Sequence, residues 1–277
     1  MTTSAPARWG LRGLAFGYLG LLLLAPVAMI FYKTFEHGLG PPVEAMTSPD
    51  ALHAIYLTLL MVAIAVPLNT VFGVGCALLL VRHRWWGNRF VDAAINLPFA
   101  VSPVVIGLSL FLLYGTEGWF GPTLADWGIT VLFSIPGMVL ASIFVSLPFV
   151  VRETVPVLEE IGTEQEQAAS TLGAGPWQTF WRVTLPAIRW GVAYGVVLTT
   201  ARVLGEFGAV TIVSGSISGR TETLPLFVGK AFEQFDEQSA YAGAIVLALL
   251  AFTTLLLMSI GGRKAKTTKE APGGNHG

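Results

Sequence analysis

Long apolar segments separated by short polar connections run through most of the chain. A helix needs roughly 20 mostly apolar residues to cross the hydrocarbon of a bilayer. Six segments meet this requirement, at 14–32, 54–81, 97–114, 129–151, 190–213 and 240–261. The pattern predicts an all-α integral membrane protein whose transmembrane domain covers 14–261. A short segment at 1–13 precedes it, and we expect the tail at 262–277 to be disordered.

Composition supports this interpretation. Of the 277 residues, 53% are hydrophobic and only 12% are charged, whereas about a quarter of the residues of a soluble domain are charged. The net charge is −1 and no basic patch with interleaved aromatic residues is present. We therefore expect membrane lipid, and no nucleic acid, around this chain.

The basic residues of the connections predict the orientation of the spans. Lys and Arg are enriched in the cytoplasmic loops of membrane proteins. With the N-terminus in the cytoplasm, three of the 16 basic residues fall outside (Lys33, Arg220 and Lys230), and Arg202 falls inside a span. The other twelve lie on the cytoplasmic side. We therefore expect both termini in the cytoplasm.

Proline and glycine recur inside the predicted spans. A proline at membrane depth removes a backbone hydrogen bond, which is tolerated where neighbouring protein or a cavity compensates. Such prolines are Pro67, Pro98, Pro103, Pro136 and Pro148. Gly13 with Gly17, and Gly191 with Gly195, have the spacing of small residues at close helix contacts.

The sequence lacks the patterns of common membrane enzymes and pumps. It contains no GxxxxGK[ST] phosphate loop and no HExxH zinc motif. The run 215–219 has the outer glycines of a nucleophile elbow, but Ile217 stands where the serine belongs. Cys76 is the single cysteine, which excludes a cysteine metal site. We expect no catalytic residue, no metal site and no cofactor on this chain.

The polar run 152–190 is too long for a simple connection between two spans. Its first part is rich in glutamate, and the glycines and proline of 173–176 break the helical pattern. A second helical stretch follows at 177–185. We predict a helix–turn–helix along the cytoplasmic face, where Ala168 and Ala169 let a partner approach closely. A solvated amphipathic loop would show the same pattern.

The spacing within this run resembles the EAA loop of permease subunits in bacterial ABC importers. The matching residues are Gln167-Ala168-Ala169, Gly173 and Leu185-Pro186, with Gln167 where the family usually has glutamate. In that family the loop is a coupling helix that docks on a separate ATPase subunit, which holds ATP and magnesium. The coupling residues that the resemblance implies are Glu164, Glu166, Gln167, Ala168, Ala169, Thr171, Leu172, Gly173, Leu185 and Pro186.

The resemblance extends over most of the chain. Leu97-Pro98 through Gly107 is similar to a span of sulfate and molybdate permeases, and 201–217 with 223–226 is most similar to the W-type subunit of sulfate/thiosulfate importers. Molybdate and tungstate permeases share a related arginine–glycine–glutamate–phenylalanine–glycine segment. The implied fold is that of type I ABC importer permeases (MetI-like), with six spans in a bacterial cytoplasmic membrane.

Arg202 and Glu206 are the two clearly ionisable residues inside a predicted span. Their i, i+4 spacing places both on one face of a helix, and a charge at membrane depth usually faces a cavity or a partner. An internal ion pair and a face that lines a translocation path both fit this spacing. We assign Arg202, Gly205, Glu206, Phe207 and Gly208 to a path or gate, where the glycines allow close backbone approach.

The resemblance also implies partners. A second permease subunit of the T-type, two ATPase subunits and a sulfate-binding protein would complete the importer, whereas a molybdate or tungstate permease would form a homodimer. The outer connections carry nine acidic and three basic residues, which makes no electrostatic funnel for an anion. Delivery by a binding protein is therefore favoured over free capture. A secondary transporter or channel that works without ATP is the alternative of a different class.

Overall fold

Every regular element in the described part of the chain is a helix. The computed structural model describes the backbone of residues 5–83 and 85–267, and the side-chain surroundings of 13–254 and 256 except at positions 15 and 84. The long helices are α1 (Ala5–Phe35), α3 (Pro49–Arg82), α7 (Ile135–Ile161), α10 (Leu185–Leu204) and α13 (Glu237–Thr267). The shorter ones are α2 (Gly40–Thr47), α4 (Asn88–Ala100), α5 (Pro103–Tyr114), α6 (Gly121–Asp126), α8 (Glu164–Thr171), α9 (Pro176–Thr179), α11 (Gly208–Ser214) and α12 (Leu224–Glu233).

Helices α3, α7 and α10 pack closely at the centre of the bundle. A methyl group added at Gly73 of α3 would lie 2.7 Å from Val150 Cβ, and one added at Gly195 of α10 would lie 2.8 Å from Val150 Cα. Gly191 lies equally close to α7, which confirms the packing predicted from the Gly191–Gly195 spacing. Gly13 and Gly17 have no neighbour within 4 Å in the described part of the chain.

A buried polar clamp joins α3 to α7. Asn69 is 0% exposed, and its amide nitrogen donates to Ser146 Oγ at 2.7 Å and to the Ile143 carbonyl at 3.2 Å. Polar groups at membrane depth need such internal partners because lipid offers none. The clamp therefore holds the two central helices in one register.

The contacts of α8 distinguish the two ends of the bundle. Arg82 at the end of α3 and Thr184, just before α10, both bind Glu166 of α8, and Arg82 also binds the Leu158 carbonyl near the end of α7. We call this the α8 end. An apolar cluster that includes Val74, Leu158 and Ile188 fills the bundle near this end. The opposite end is formed by the segments that follow α5 and α11.

The number of spans stays a prediction. In the described residues, three helices are long and apolar enough to cross a membrane, within α1, α3 and α7. Two bent pairs raise the number to five, with α4 and α5 at 112° and the helix 176–204 and α11 at 54°. The sixth predicted span, 240–261, lies in α13, and the side chains from 257 onward fall outside the described part.

The third predicted span, 97–114, is wrong as a single helix because the chain bends sharply between α4 and α5. Pro103 disfavours helical backbone in the residue before it, and Ser102 is extended (φ −60°, ψ 138°). Pro136 likewise lies in the first turn of α7, so the helix of the fourth predicted span begins at Ile135, six residues after the predicted start at 129. At a helix start the missing proline N–H leaves no hydrogen bond unmade.

The last helix extends beyond the predicted span. It ends at Thr267, inside the tail for which we expected disorder from 262 onward. The remaining residues of that tail, 268–277, and the first four residues of the N-terminal segment lie outside the described residues.

Candidate functional site

The polar run 152–190 contains the first candidate site. Helix α7 continues to Ile161, and α8 is bounded by Gly162 and Gly173, which both have positive φ (61° and 86°). The predicted break at 173–176 is confirmed, and the helical stretch after it is continuous with α10. The long helices thus reach into the run from both sides. The part left between them is 162–175, which we call the 162–175 segment.

A π-turn at Phe180–Thr184 joins α9 to α10. The Leu185 N–H donates to the Phe180 carbonyl, five residues back. Pro186 has no N–H for the Arg182 carbonyl and its ring would press on that group, and a wider turn relieves the clash. Thr184 is buried at the end of this turn, and its hydroxyl faces α8.

Helix α8 presents most of its surface to solvent. None of its residues is buried, and Leu172, directly after it, is 88% exposed. The predicted coupling residues Glu164, Ala168 and Thr171 are exposed as well. The Gln167 side chain donates to Thr163 Oγ1 at 3.0 Å. An exposed helix with small and apolar side chains on it suits a soluble protein partner.

Glu166 points towards the bundle and not towards solvent. Its carboxylate accepts from Arg82 Nε at 3.0 Å and from Arg82 Nη2 at 3.3 Å, and from Thr184 Oγ1 at 2.8 Å. The same guanidinium donates to the carbonyls of Leu158 (3.1 Å) and Gly162 (2.7 Å). Glu166 therefore fastens α8 to α3 and α10.

Leu185 and Pro186 lie apart from the exposed surface of α8. Both are in the first turn of α10, where Leu185 packs against the apolar cluster of the α8 end. Leu185 thus supports the base of the segment, whereas Pro186 is exposed.

The second candidate site is the bend between α10 and α11. Arg202 Nη1 lies 2.5 Å from Glu206 Oε2, and Glu206 is 3% exposed. The predicted pair forms, but not on one face of a continuous helix, because α10 ends at Leu204. Glu206 lies in the bend, and its other oxygen, Oε1, accepts from the Ala209 N–H at 2.9 Å.

The neighbours of this pair differ in packing. A methyl group at Gly208 would lie 3.1 Å from Pro103 Cβ, so α11 approaches α5 closely there. Among the described residues, a methyl group added at Gly205 would have only the Ala201 carbonyl of its own helix nearby, at 3.7 Å. Gly205 is exposed, so close approach of another subunit there stays a prediction. Phe207 lies across Gly229 of α12 with part of its ring exposed.

Sequence reasoning missed the ion pairs Arg82–Glu166 and Glu222–Lys230. In the sequence, Arg82 served only to predict the orientation of the spans. In the structure its guanidinium binds the carboxylate of Glu166. At the opposite end, Glu222 is 1% exposed and pairs with Lys230 at 3.2 Å, while Ser218 donates to it at 3.0 Å. Arg82 and Glu166 are 84 residues apart, and Glu222 lies in the loop before α12 while Lys230 lies within it. Neither pair therefore shows the three- or four-residue spacing of a pair on one helix.

These features define a polytopic helical membrane protein in which one short exposed helix lies between two long helices. The family model "Binding-protein-dependent transport system inner membrane component" matches residues 69–266. The chain belongs to this family and is a multi-pass membrane protein.

Two relatives are similar to this chain along most of its length. The sulfate transport system permease protein CysW of Synechocystis sp. is 53% identical over 250 residues, 90% of this chain and 91% of that protein. The sulfate transport system permease protein CysT of Escherichia coli K12 is 39% identical over 248 residues, 90% of this chain and 89% of that protein.

The fold is found in a solved transporter. The crystal structure of a bacterial ABC transporter involved in the import of the acidic polysaccharide alginate has a chain that superposes with a TM-score of 0.76 at 18% identity, covering 94% of this chain and 96% of that one. The predicted all-α fold of an ABC importer permease is confirmed.

Proposed function

We propose that this chain is the W-type permease subunit of an ATP-driven ABC importer that carries sulfate or thiosulfate across the cytoplasmic membrane. The observation that carries the proposal is the 53% identity to a sulfate permease protein of the W-type over 90% of the chain. Identity to a T-type protein is lower, at 39%.

Energy would enter through the 162–175 segment. The exposed face of α8, with Glu164, Gln167, Ala168, Thr171 and Leu172, is the surface we assign to the ATPase subunit. Ala168 adds little bulk there, and Leu172 offers an apolar side chain to a groove. The glycine at 173, with Ala169, Leu185 and Pro186, shapes and supports this surface. ATP and magnesium bind to the partner, and this chain hydrolyses nothing.

The assembly follows from the same proposal. A T-type permease subunit pairs with this chain, two ATPase subunits bind at the α8 end, and a sulfate-binding protein delivers the anion at the opposite end. The α8 end and both termini then lie in the cytoplasm of a bacterium.

The bend at Gly205–Phe207 is our candidate for the moving part of the path. Arg202, Glu206, Phe207 and Gly208 lie where α10, α11 and α5 meet, so a change of the bend angle would shift all three helices. Arg202 is already paired with Glu206. We therefore assign it to the gate and not to direct capture of the anion.

Growth on limiting sulfate tests the function. A strain that lacks its own W-type subunit should grow again when it expresses this chain with its neighbouring transport genes, and a molybdate-dependent activity should stay unchanged. A second, different permease subunit should co-purify with the chain.

Two outcomes would contradict the proposal and indicate a different function. Rescue of the molybdate-dependent activity, with a homodimer as the purified species, would indicate a molybdate or tungstate permease. Sulfate uptake that persists when the catalytic site of the ATPase is disabled would indicate a transporter that works without ATP.

A further inference from the structure

Helix α8 has weak connections to the bundle along the chain. It is eight residues long with none of them buried, and a glycine with positive φ lies on either side of it. A partner that pushed on α8 would meet little resistance from these two joints. The displacement would be absorbed locally unless something else ties α8 to the long helices.

Glu166 supplies that tie. Among the described residues, it is the only one of α8 whose side chain is hydrogen-bonded to α3 or to the π-turn. Its partner Arg82 is 12% exposed, and Glu166 itself is 22% exposed, so solvent screens the pair only in part. A two-point contact between guanidinium and carboxylate also fixes orientation, which a single contact does not.

Arginine is required here because four acceptor contacts converge on one side chain. Nε and Nη2 reach the two oxygens of Glu166, while Nη1 and Nη2 reach the Leu158 and Gly162 carbonyls. The last carbonyls of a helix have no partner within it, so Arg82 also completes the end of α7. A lysine ammonium is a point charge and cannot span these acceptors at once.

Helix α3 can carry a displacement of Arg82 far into the molecule. It is 34 residues long, or about 50 Å at 1.5 Å per residue. Midway, Asn69 clamps it to α7. Towards the opposite end, Thr58 Oγ1 accepts from the Leu224 N–H at 2.8 Å, at the start of α12.

We propose that Arg82 is a positioning residue which makes α8 move as one unit with α3, the end of α7 and the start of α10. The inference rests on the proposed function, since the force on α8 comes from the ATPase subunit. It adds to that function a residue outside the EAA loop that transmits the movement.

The test is the number of sulfate ions imported per ATP hydrolysed by the complete complex in proteoliposomes. In Arg82→Ala, ATP hydrolysis continues and the ratio falls by roughly fivefold or more, the lower range of coupling between linked sites. Arg82→Lys recovers only part of the ratio. Arg89→Ala and Glu160→Gln remove exposed charges at the same end and leave the ratio at the wild-type value.

The double variant Arg82→Ala with Glu166→Ala should be no worse than the poorer single variant, because both remove one contact. A wild-type ratio in an assembled Arg82→Ala complex, or additive losses in the double variant, would overturn the inference. If Arg82→Ala does not assemble, the same ratio is measured in Glu166→Ala, where we expect the same fall.

Hydrogen exchange separates this inference from the proposed function. Amides of α8 should exchange faster in Arg82→Ala than in wild type, whatever the substrate. Unchanged exchange overturns the inference, whereas a wild-type complex without ATP-dependent uptake would contradict the proposed function alone.

Discussion

Glu206 uses both of its carboxylate oxygens at the junction of α10 and α11. One oxygen pairs with Arg202 at the end of α10, and the other accepts the Ala209 N–H in the first turn of α11. A negative charge is favourable at a helix N-terminus. The four-residue spacing predicted the pair correctly. It did not predict the bend, because the same spacing brings the two side chains together in a helix and across this turn.

Removal of the carboxylate should destabilise the chain. Glu206→Ala leaves Arg202 without its partner and the Ala209 N–H without its acceptor, and we expect a loss of about 3 kcal/mol, since breaking a buried pair costs this order. The measurement is the thermal unfolding of the purified complex. Glu117→Ala, which removes an exposed acid from a loop, is the control. Equal midpoints for the two variants would contradict the assignment of Glu206.

The shape of the 162–175 segment depends on Gly173. Its φ is +86° and an added methyl group would meet nothing within 4 Å, so the effect of Gly173→Ala is purely conformational, about 1–2 kcal/mol. We expect reduced sulfate uptake per ATP while the complex still inserts. Gly175→Ala is the matched control, with free space around it and a φ of −72°. A wild-type amount of sulfate uptake per ATP in Gly173→Ala would contradict the prediction that the segment depends on the positive φ of Gly173.

At the scale of elements, the contact between α5 and α11 depends on Gly107 of α5 as well as on Gly208 of α11. A methyl group at Gly107 would lie 2.7 Å from the Ala209 carbonyl oxygen and 3.0 Å from its Cα. Because these atoms belong to the backbone of α11, no change of rotamer can relieve the overlap. The contact lies directly beside Glu206, so the packing of α5 and the bend of α10 and α11 are linked.

Gly107→Ala should therefore push α5 and α11 apart. We expect a loss of about 1–3 kcal/mol, the usual cost of overpacking a core, and a lower unfolding midpoint with impaired transport. Gly75→Ala on α3 is the control because the space around it is empty. A midpoint for Gly107→Ala as high as that of the control would contradict the packing.

The elements themselves could be predicted only in part. Hydrophobic length predicted the helices of α1, α3 and α7, because the bilayer requires long apolar runs. It did not detect the turn before Pro103, because the residues on both sides of Ser102 and Pro103 together form an apolar run long enough to be taken for one span. The tie between Arg82 and Glu166 was also missed, because contacts across 84 residues leave no pattern that a single sequence displays.

At the scale of the whole molecule, the orientation in the membrane is the coarsest claim and the simplest to test. Cys76 is the single cysteine, so a Cys76→Ala background accepts reporter cysteines without interference. Thr171 lies on α8, and Thr116 lies beyond α5 at the opposite end; both are exposed.

An impermeant maleimide applied to intact spheroplasts should label Thr116→Cys and not Thr171→Cys. Permeabilised cells should show both labelled, which controls for reactivity. Labelling of Thr171→Cys from outside would contradict a cytoplasmic α8 end, and with it the docking of an ATPase there.

Sulfate accumulation in proteoliposomes tests the central claim most directly. The chain is reconstituted with its permease partner, its ATPase subunits and the sulfate-binding protein, and labelled sulfate inside the vesicles is followed with time. We predict uptake that requires ATP and the binding protein, and that stops when the catalytic site of the ATPase is disabled. Sulfate accumulation that continues without ATP hydrolysis would contradict the account.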